Sequence, residues 1–81
     1  MKMSTRMLQR LPLYLRALRG LEREGRQYAS GAGLAITLGF DPIVVRKDLA
    51  KTGVRGTPRV GFPIPQLITV IERLTGADAD M

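Results

Sequence analysis

The stretch that decides the fold is Val44 to Phe62, which reads VVRKDLAKTGVRGTPRVGF. It holds one acid, Asp48, and five basic residues, namely Arg46, Lys47, Lys51, Arg55 and Arg59. Its first half has a helical pattern, whereas glycines and prolines punctuate the second half and predict a hairpin. A cationic helix followed at once by a cationic hairpin is typical of a winged helix-turn-helix. In that fold the helix enters the major groove of DNA, and the hairpin contacts the backbone or the minor groove.

Upstream of this stretch, apolar residues recur at helical spacing from Met7 to Leu21 and predict an amphipathic first helix. Ser4 or Thr5 is the expected cap at its start. Pro12 lies inside the pattern, where a proline removes one backbone hydrogen bond. We therefore expect the helix either to begin near Leu11 or to start earlier and bend at the proline.

Two short helices joined by a tight turn are predicted next. Residues 26–29 have the character of a small strand, and Ser30 is a candidate N-cap for a second helix, which Gly39 closes. The Asp-Pro pair at residues 41–42 predicts the start of a third helix that runs from residue 43 to about residue 51. This arrangement is the helix-turn-helix signature.

The remaining residues complete a predicted wing and a last helix. Val54, Val60 and Phe62 are expected to pair as short strands around a turn at residues 56–58, and apolar residues from Leu67 to Leu74 predict the last helix. Core positions are predicted on the third helix at Ile43, Val44 and Leu49, which Val45 can join, and among the aromatic residues at Phe40 and Phe62. We expect one mainly α-helical winged helix-turn-helix domain over residues 1–81, with a disordered tail from about residue 77.

The composition limits the class of protein and of partner. A net charge of +6 on 81 residues favours a polyanionic partner for one small domain. The chain has no cysteine and no histidine, which excludes a disulfide framework and argues against structural zinc. No run approaches the roughly 20 apolar residues of a membrane span. No acid pair or nucleophile–base pair predicts catalysis, so we expect a cytoplasmic protein that is not an enzyme.

The third helix carries the candidate base contacts. Arg46 and Lys47 lie one turn into this helix, and both residue types reach the acceptors of guanine in the major groove. Lys51 follows a turn later and is better placed for a phosphate. Phosphate repels Asp48, which we interpret as a residue that orients a neighbouring arginine or lysine.

The wing carries the other candidate contacts, Arg55, Thr57 and Arg59. Glycines around them allow a close approach of the backbone, and an arginine can enter a narrow minor groove. The alternatives are an ordinary solvated surface and a winged helix that binds an acidic protein surface without DNA. A third is an anionic membrane bound by the basic first helix. We expect no membrane partner, because the apolar face of that helix is needed to cover the core.

Two segments carry a family resemblance, RLPLYLR at residues 10–16 and VRKDL at residues 45–49. With VGF at residues 60–62 they occur in the order and at the separation found in the N-terminal DNA-binding domain of the bacterial Rex redox-sensing transcriptional repressors. The chain resembles that domain from Arg10 to about Leu74. The resemblance implies binding to a palindromic operator as a homodimer. It also implies that NADH or NAD binds only to a Rossmann domain that is not part of this chain. We therefore expect this chain to be a fragment of a longer protein.

The resemblance also implies roles for single residues. It implies base contacts from Arg46 and Lys47, and it places Arg16 toward the partner domain. It implies phosphate contacts from three positions, namely Arg10, Tyr14 and Ser30. The chain departs from the family in the wing, where Pro58-Arg59 stands in place of the usual Arg-Gly and residues 51–55 lack the usual aromatic run.

Overall fold

A computed structural model describes residues 4–76. Its elements follow in the order α1 (Thr5–Arg23), β1 (Tyr28–Ala29), α2 (Gly31–Leu38), α3 (Pro42–Lys51), β2 (Phe62–Pro63) and α4 (Ile64–Thr75). The two strands are antiparallel, and Ala29 lies opposite Phe62. The predicted fold class, a mainly helical winged helix-turn-helix, is confirmed. The predicted tail from about residue 77 lies outside the described residues.

Helix α1 starts early and runs through its proline. The Ser4 hydroxyl accepts a hydrogen bond from the Met7 amide and caps the helix, as one of the two predicted caps. Pro12 lies on the exposed side of α1, and so does Leu8, whose carbonyl is left without an N–H partner four residues later. One face of the helix is buried along its length, through Met7, Leu11, Tyr14, Leu15 and Leu18.

The core forms where α1 packs against α4 and α2. Tyr14 is fully buried, and its ring meets the ring of Phe40 edge to face at a centroid distance of 5.9 Å. Phe40 and Phe62, the predicted aromatic core residues, pack against the core but are only partly buried. The remaining fully buried large side chains come from all four helices, and each contributes roughly 1.5–3 kcal/mol by leaving water.

The predicted caps of α2 and α3 are confirmed. Ser30 caps α2, and Gly39 ends it in the left-handed conformation. Asp41 caps α3 by accepting a 2.8 Å hydrogen bond from the amide of Ile43, and Pro42 occupies the first helical position. The turn between α2 and α3 is therefore determined by residues within it, namely Gly39, Asp41 and Pro42.

The inward face of α3 differs from the predicted one. Val45 and Leu49 are fully buried and Val44 is half-buried, but Ile43 is 59% exposed. The predicted core position of Ile43 is wrong. The buried side of α3 consists of Val45, Asp48 and Leu49. The rotation of the helix about its axis that buries these residues turns Ile43 toward solvent.

The turn of the wing lies at residues 58–60, not at the predicted residues 56–58. Thr57 and Gly61 exchange two backbone hydrogen bonds of 2.9 Å across it. Arg59 therefore lies within the turn and has a φ of 67°, in the left-handed region that side chains other than glycine seldom adopt. Arg59 thus stands at a backbone position that favours glycine.

The strand partners of the wing also differ from the prediction. Phe62 pairs with Ala29, so the segment that leaves the wing joins the strand before α2. Val54 lies outside the strands, and its amide donates to the hydroxyl of Thr52 at 3.2 Å. The predicted pairing of Val54 and Val60 with Phe62 is wrong, because the turn lies two residues later and Phe62 pairs with β1.

We expect Gly61→Ala to destabilise the fold more than Gly53→Ala. Both glycines have positive φ angles, 111° and 80°, but a Cβ on Gly61 would lie 2.7 Å from the carbonyl oxygen of Ala29, whereas nothing lies within 4 Å at Gly53. Backbone strain alone predicts a loss of about 1–2 kcal/mol for Gly53→Ala. The added clash predicts a larger loss for Gly61→Ala. Urea unfolding measures both, and equal losses would contradict the close approach of the wing to β1.

Candidate nucleic-acid interface

The solvent-facing side of α3 is basic. After Pro42, its exposed residues recur at helical spacing and are Ile43, Arg46, Lys47 and Ala50, with Lys51 at the end of the helix. The opposite side, which contains Val45, Asp48 and Leu49, is buried. We call the exposed set the reading face. It presents the predicted base-contacting residues Arg46 and Lys47 to solvent.

A cleft separates the reading face from the wing and connects the two predicted contact zones. This wing cleft has a volume of about 740 Å³, and its lining includes Ser30, Arg46, Thr57 and Arg59. Among the described residues that line it, none is acidic. The fold therefore brings four predicted contact residues, from the N-cap of α2, from α3 and from the wing, around one cationic cleft.

Arg55 lies elsewhere than the other predicted wing residues. It lines a separate open cavity of about 700 Å³ between the loop after α3 and helix α4, where Arg73 is also found. Lys51 is exposed at the last residue of α3. These two predicted contacts extend the basic surface but do not line the wing cleft.

A buried polar cluster lies beneath the reading face. Asp48 is only 2% exposed, and its carboxylate accepts two hydrogen bonds from the guanidinium of Arg10, at 2.6 Å from Nε and 2.9 Å from Nη2. The hydroxyl of Tyr14 donates to the same carboxylate. Arg10 and Tyr14 are one turn apart on α1, so the three side chains tie α3 to α1. We call this set the anchor cluster.

The anchor cluster holds Arg10 and Tyr14 in fixed protonation states. The hydrogen bond with Asp48 raises the pKa of Arg10 above its already high ordinary value. Burial raises the pKa of Tyr14, and the hydrogen bond to Asp48 raises it further. Arg10 therefore stays cationic and Tyr14 stays protonated near neutral pH, and among the described residues no buried side-chain nitrogen or oxygen lacks a partner.

This geometry changes the roles predicted for three residues. Tyr14 is fully buried, so the phosphate contact predicted for it does not fit its position. The side chain of Arg10 is 23% exposed and is engaged by Asp48, which makes it first a support for α3. Asp48 does pair with an arginine, as predicted, although the partner comes from α1 and not from α3. The helical spacing of Tyr14 from Leu11 and Leu18, on the apolar face of α1, already indicates the burial of Tyr14.

Arg16 is exposed on α1 and lines a shallow cavity of about 400 Å³ with Arg19 and Arg23. Arg19 pairs with Glu72 of α4 on the surface. The coupling role of Arg16 stays a prediction.

Within the part of the chain that the structure describes, no helix is long and apolar enough to cross a membrane, and no group of acids forms a candidate metal site.

Comparison with known proteins identifies the family. Residues 2–50 match the family model described as "Putative DNA-binding protein N-terminus", which covers α1, α2 and nearly all of α3. The chain belongs to this family. The matched part contains the anchor cluster and the reading face except for Lys51, but not the wing.

Curated relatives named redox-sensing transcriptional repressor Rex are similar over most of the chain. The protein from Treponema denticola is 44% identical over 85% of this chain, and that from Solidesulfovibrio magneticus is 39% identical over 88%. The Bacteroides fragilis protein is 33% identical over 85% of this chain. This chain spans about a third of the length of these relatives, 33%, 32% and 31% respectively. The predicted resemblance to the N-terminal domain of Rex is confirmed.

We expect Asp48→Asn to destabilise the domain far more than Glu72→Gln. The first change leaves the guanidinium of Arg10 without its carboxylate, which predicts a loss of about 2–4 kcal/mol for a pair whose arginine is partly exposed. The second change removes the surface partner of Arg19. The side chains of Arg19 and Glu72 are 47% and 28% exposed, so we expect a loss of under about 1 kcal/mol. Chemical unfolding compares the two variants. A loss for Asp48→Asn no greater than that for Glu72→Gln would contradict the structural role of the anchor cluster.

Proposed function

We propose that this chain binds duplex DNA in a sequence-specific way, as the operator-reading domain of a Rex-like transcriptional repressor. The observation that carries the proposal is the reading face, whose cations lie beside a cleft with basic lining and no acid among the described residues around it. The family match and the Rex relatives support the same function. No chemical reaction is part of the proposal.

In the proposed complex, α3 lies in the major groove and the wing lies over the backbone and the minor groove. Arg46 and Lys47 contact base edges, and Lys51 neutralises a phosphate. Arg59 and Thr57 contact the DNA strand that borders the wing cleft. On the same side, the exposed first turn of α2, directly after Ser30, offers amide donors to a phosphate. Phosphate contacts supply most of the affinity, which makes it fall steeply with salt.

The anchor cluster prepares this surface before DNA arrives. A helix held by a two-point hydrogen-bonded pair keeps its exposed side chains in one orientation, so binding does not have to order the helix. Arg10 acts through Asp48 in this scheme, and its exposed edge is near enough to the surface to add a phosphate contact. Arg55 extends the basic surface on the side of α4.

The wider context of the domain is part of the proposal. The Rex relatives are named as redox-sensing repressors, and this chain spans about a third of their length. We infer that the domain acts in the cytoplasm within a homodimer on a palindromic operator, since two-fold protein symmetry matches a palindrome. NADH or NAD then binds to a C-terminal domain that is not part of this chain, and Arg16 faces that domain.

We expect Lys47→Ala to weaken binding to a preferred duplex by roughly 1–3 kcal/mol and to reduce discrimination against a scrambled duplex. The preferred duplex is first selected from a random-sequence pool at low salt. Fluorescence anisotropy over a salt titration then measures affinity for both duplexes. Arg23→Ala, which removes an exposed charge at the end of α1, is the control and should leave discrimination unchanged.

Equal losses of Lys47→Ala on the two duplexes would overturn base reading by this residue. Absence of all duplex binding at low salt, together with a tight complex with an acidic protein, would replace the proposal by an interaction module. The two outcomes differ because only the first retains DNA affinity.

A further inference from the structure

Ile43 occupies the middle of the reading face. Residues advance by about 100° each in an α-helix, so Lys47 and Arg46 flank Ile43 at about 40° and about 60° on opposite sides. The side chain of Ile43 is 59% exposed and makes no part of the core. A branched apolar side chain thus lies between the two cations that are proposed to read bases.

The local structure holds Ile43 in place. Its amide donates to the carboxylate of Asp41 at 2.8 Å, which fixes it in the first turn of α3. A β-branched side chain in a helix has one strongly preferred rotamer, so its methyl groups are directed before any ligand binds. The first turn of a recognition helix is also the part that approaches base edges most closely.

The chemistry of the major groove restricts what such a side chain can recognise. Each base pair presents hydrogen-bond donors and acceptors there, and the C5 methyl of thymine is the apolar group among them. An isoleucine that enters the groove gains by covering this methyl and loses by covering a polar edge that it cannot bond. Arg46 and Lys47 read acceptors and cannot make this distinction.

We propose that Ile43 is a specificity-determining residue that selects a thymine by contacting its methyl group, next to the base pair read by Lys47 or Arg46. The inference rests on the proposed function and adds a preference that the two cations do not supply. Ala50, on the same face two turns further along, has a small side chain that lets the helix approach the groove closely.

A second exposed isoleucine provides a matched control. Ile36 on α2 is 81% exposed, and it lines a cavity with Tyr28 and Leu21 instead of lying on the reading face. Both isoleucines are exposed in helices, and alanine is an excellent helix former, so Ile43→Ala and Ile36→Ala should both fold. Circular dichroism and thermal unfolding verify this before binding is measured.

The test replaces single thymines by deoxyuridine in the duplex selected from the random pool, which deletes one methyl at a time. For the unaltered chain, loss of the contacted methyl should weaken binding about fourfold, the value of one buried carbon group. Ile43→Ala should bind the thymine and deoxyuridine duplexes equally at that position. Ile36→Ala should keep the fourfold difference.

Three results would overturn the inference. They are a duplex whose recognised half-site holds no thymine, an unaltered chain that is indifferent to every methyl deletion, and an Ile43→Ala variant that is as sensitive as the unaltered chain. In each case DNA binding itself persists, so the proposed function stands. Absence of any binding to the selected duplex would overturn the proposed function and this inference together.

Discussion

The buried carboxylate of Asp48 is the constraint on which the reading face depends. It accepts hydrogen bonds from Arg10 and Tyr14, and it lies between the apolar residues Val45 and Leu49 on the inner side of α3. A carboxylate that leaves water must find such partners or destabilise the fold. The two donors are one turn apart on α1, so both reach the carboxylate only at one rotation of α3 about its axis.

That setting decides which residues face solvent. Ile43 and Asp48 are about 140° apart around the helix, so both cannot point at the centre of the core. Burial of Asp48 beside its donors therefore exposes Ile43 together with Arg46 and Lys47. The rotation of α3 that buries Asp48 therefore also determines which residues form the proposed DNA surface. The wing adds a second constraint, because Gly61 allows the segment that leaves the wing to approach Ala29. Gly61 and Arg46 both line the wing cleft.

Local features of the chain were predictable from sequence, and long-range ones were not. Caps such as Ser30 and Asp41 act on amides two or three residues away, so their pattern is legible in the sequence. The exposure of Ile43 depends on a contact between Arg10 and Asp48, 38 positions apart, which spacing within one helix does not reveal. In the wing, the turn is set by backbone bonds between Thr57 and Gly61, and placing Arg59 at a positive φ contradicts the preference of its residue type.

The most direct test of the central claim is a double-mutant cycle between Arg10 and Asp48, using Arg10→Met, Asp48→Asn and the combined variant. The free energy of unfolding of each protein gives the coupling between the two side chains. If this pair fixes α3 on α1, the second substitution costs little once the first is made, and the coupling reaches about 1.5–3 kcal/mol. Additive losses, with a coupling below about 0.5 kcal/mol, would contradict the account and would leave the orientation of the reading face to apolar packing alone.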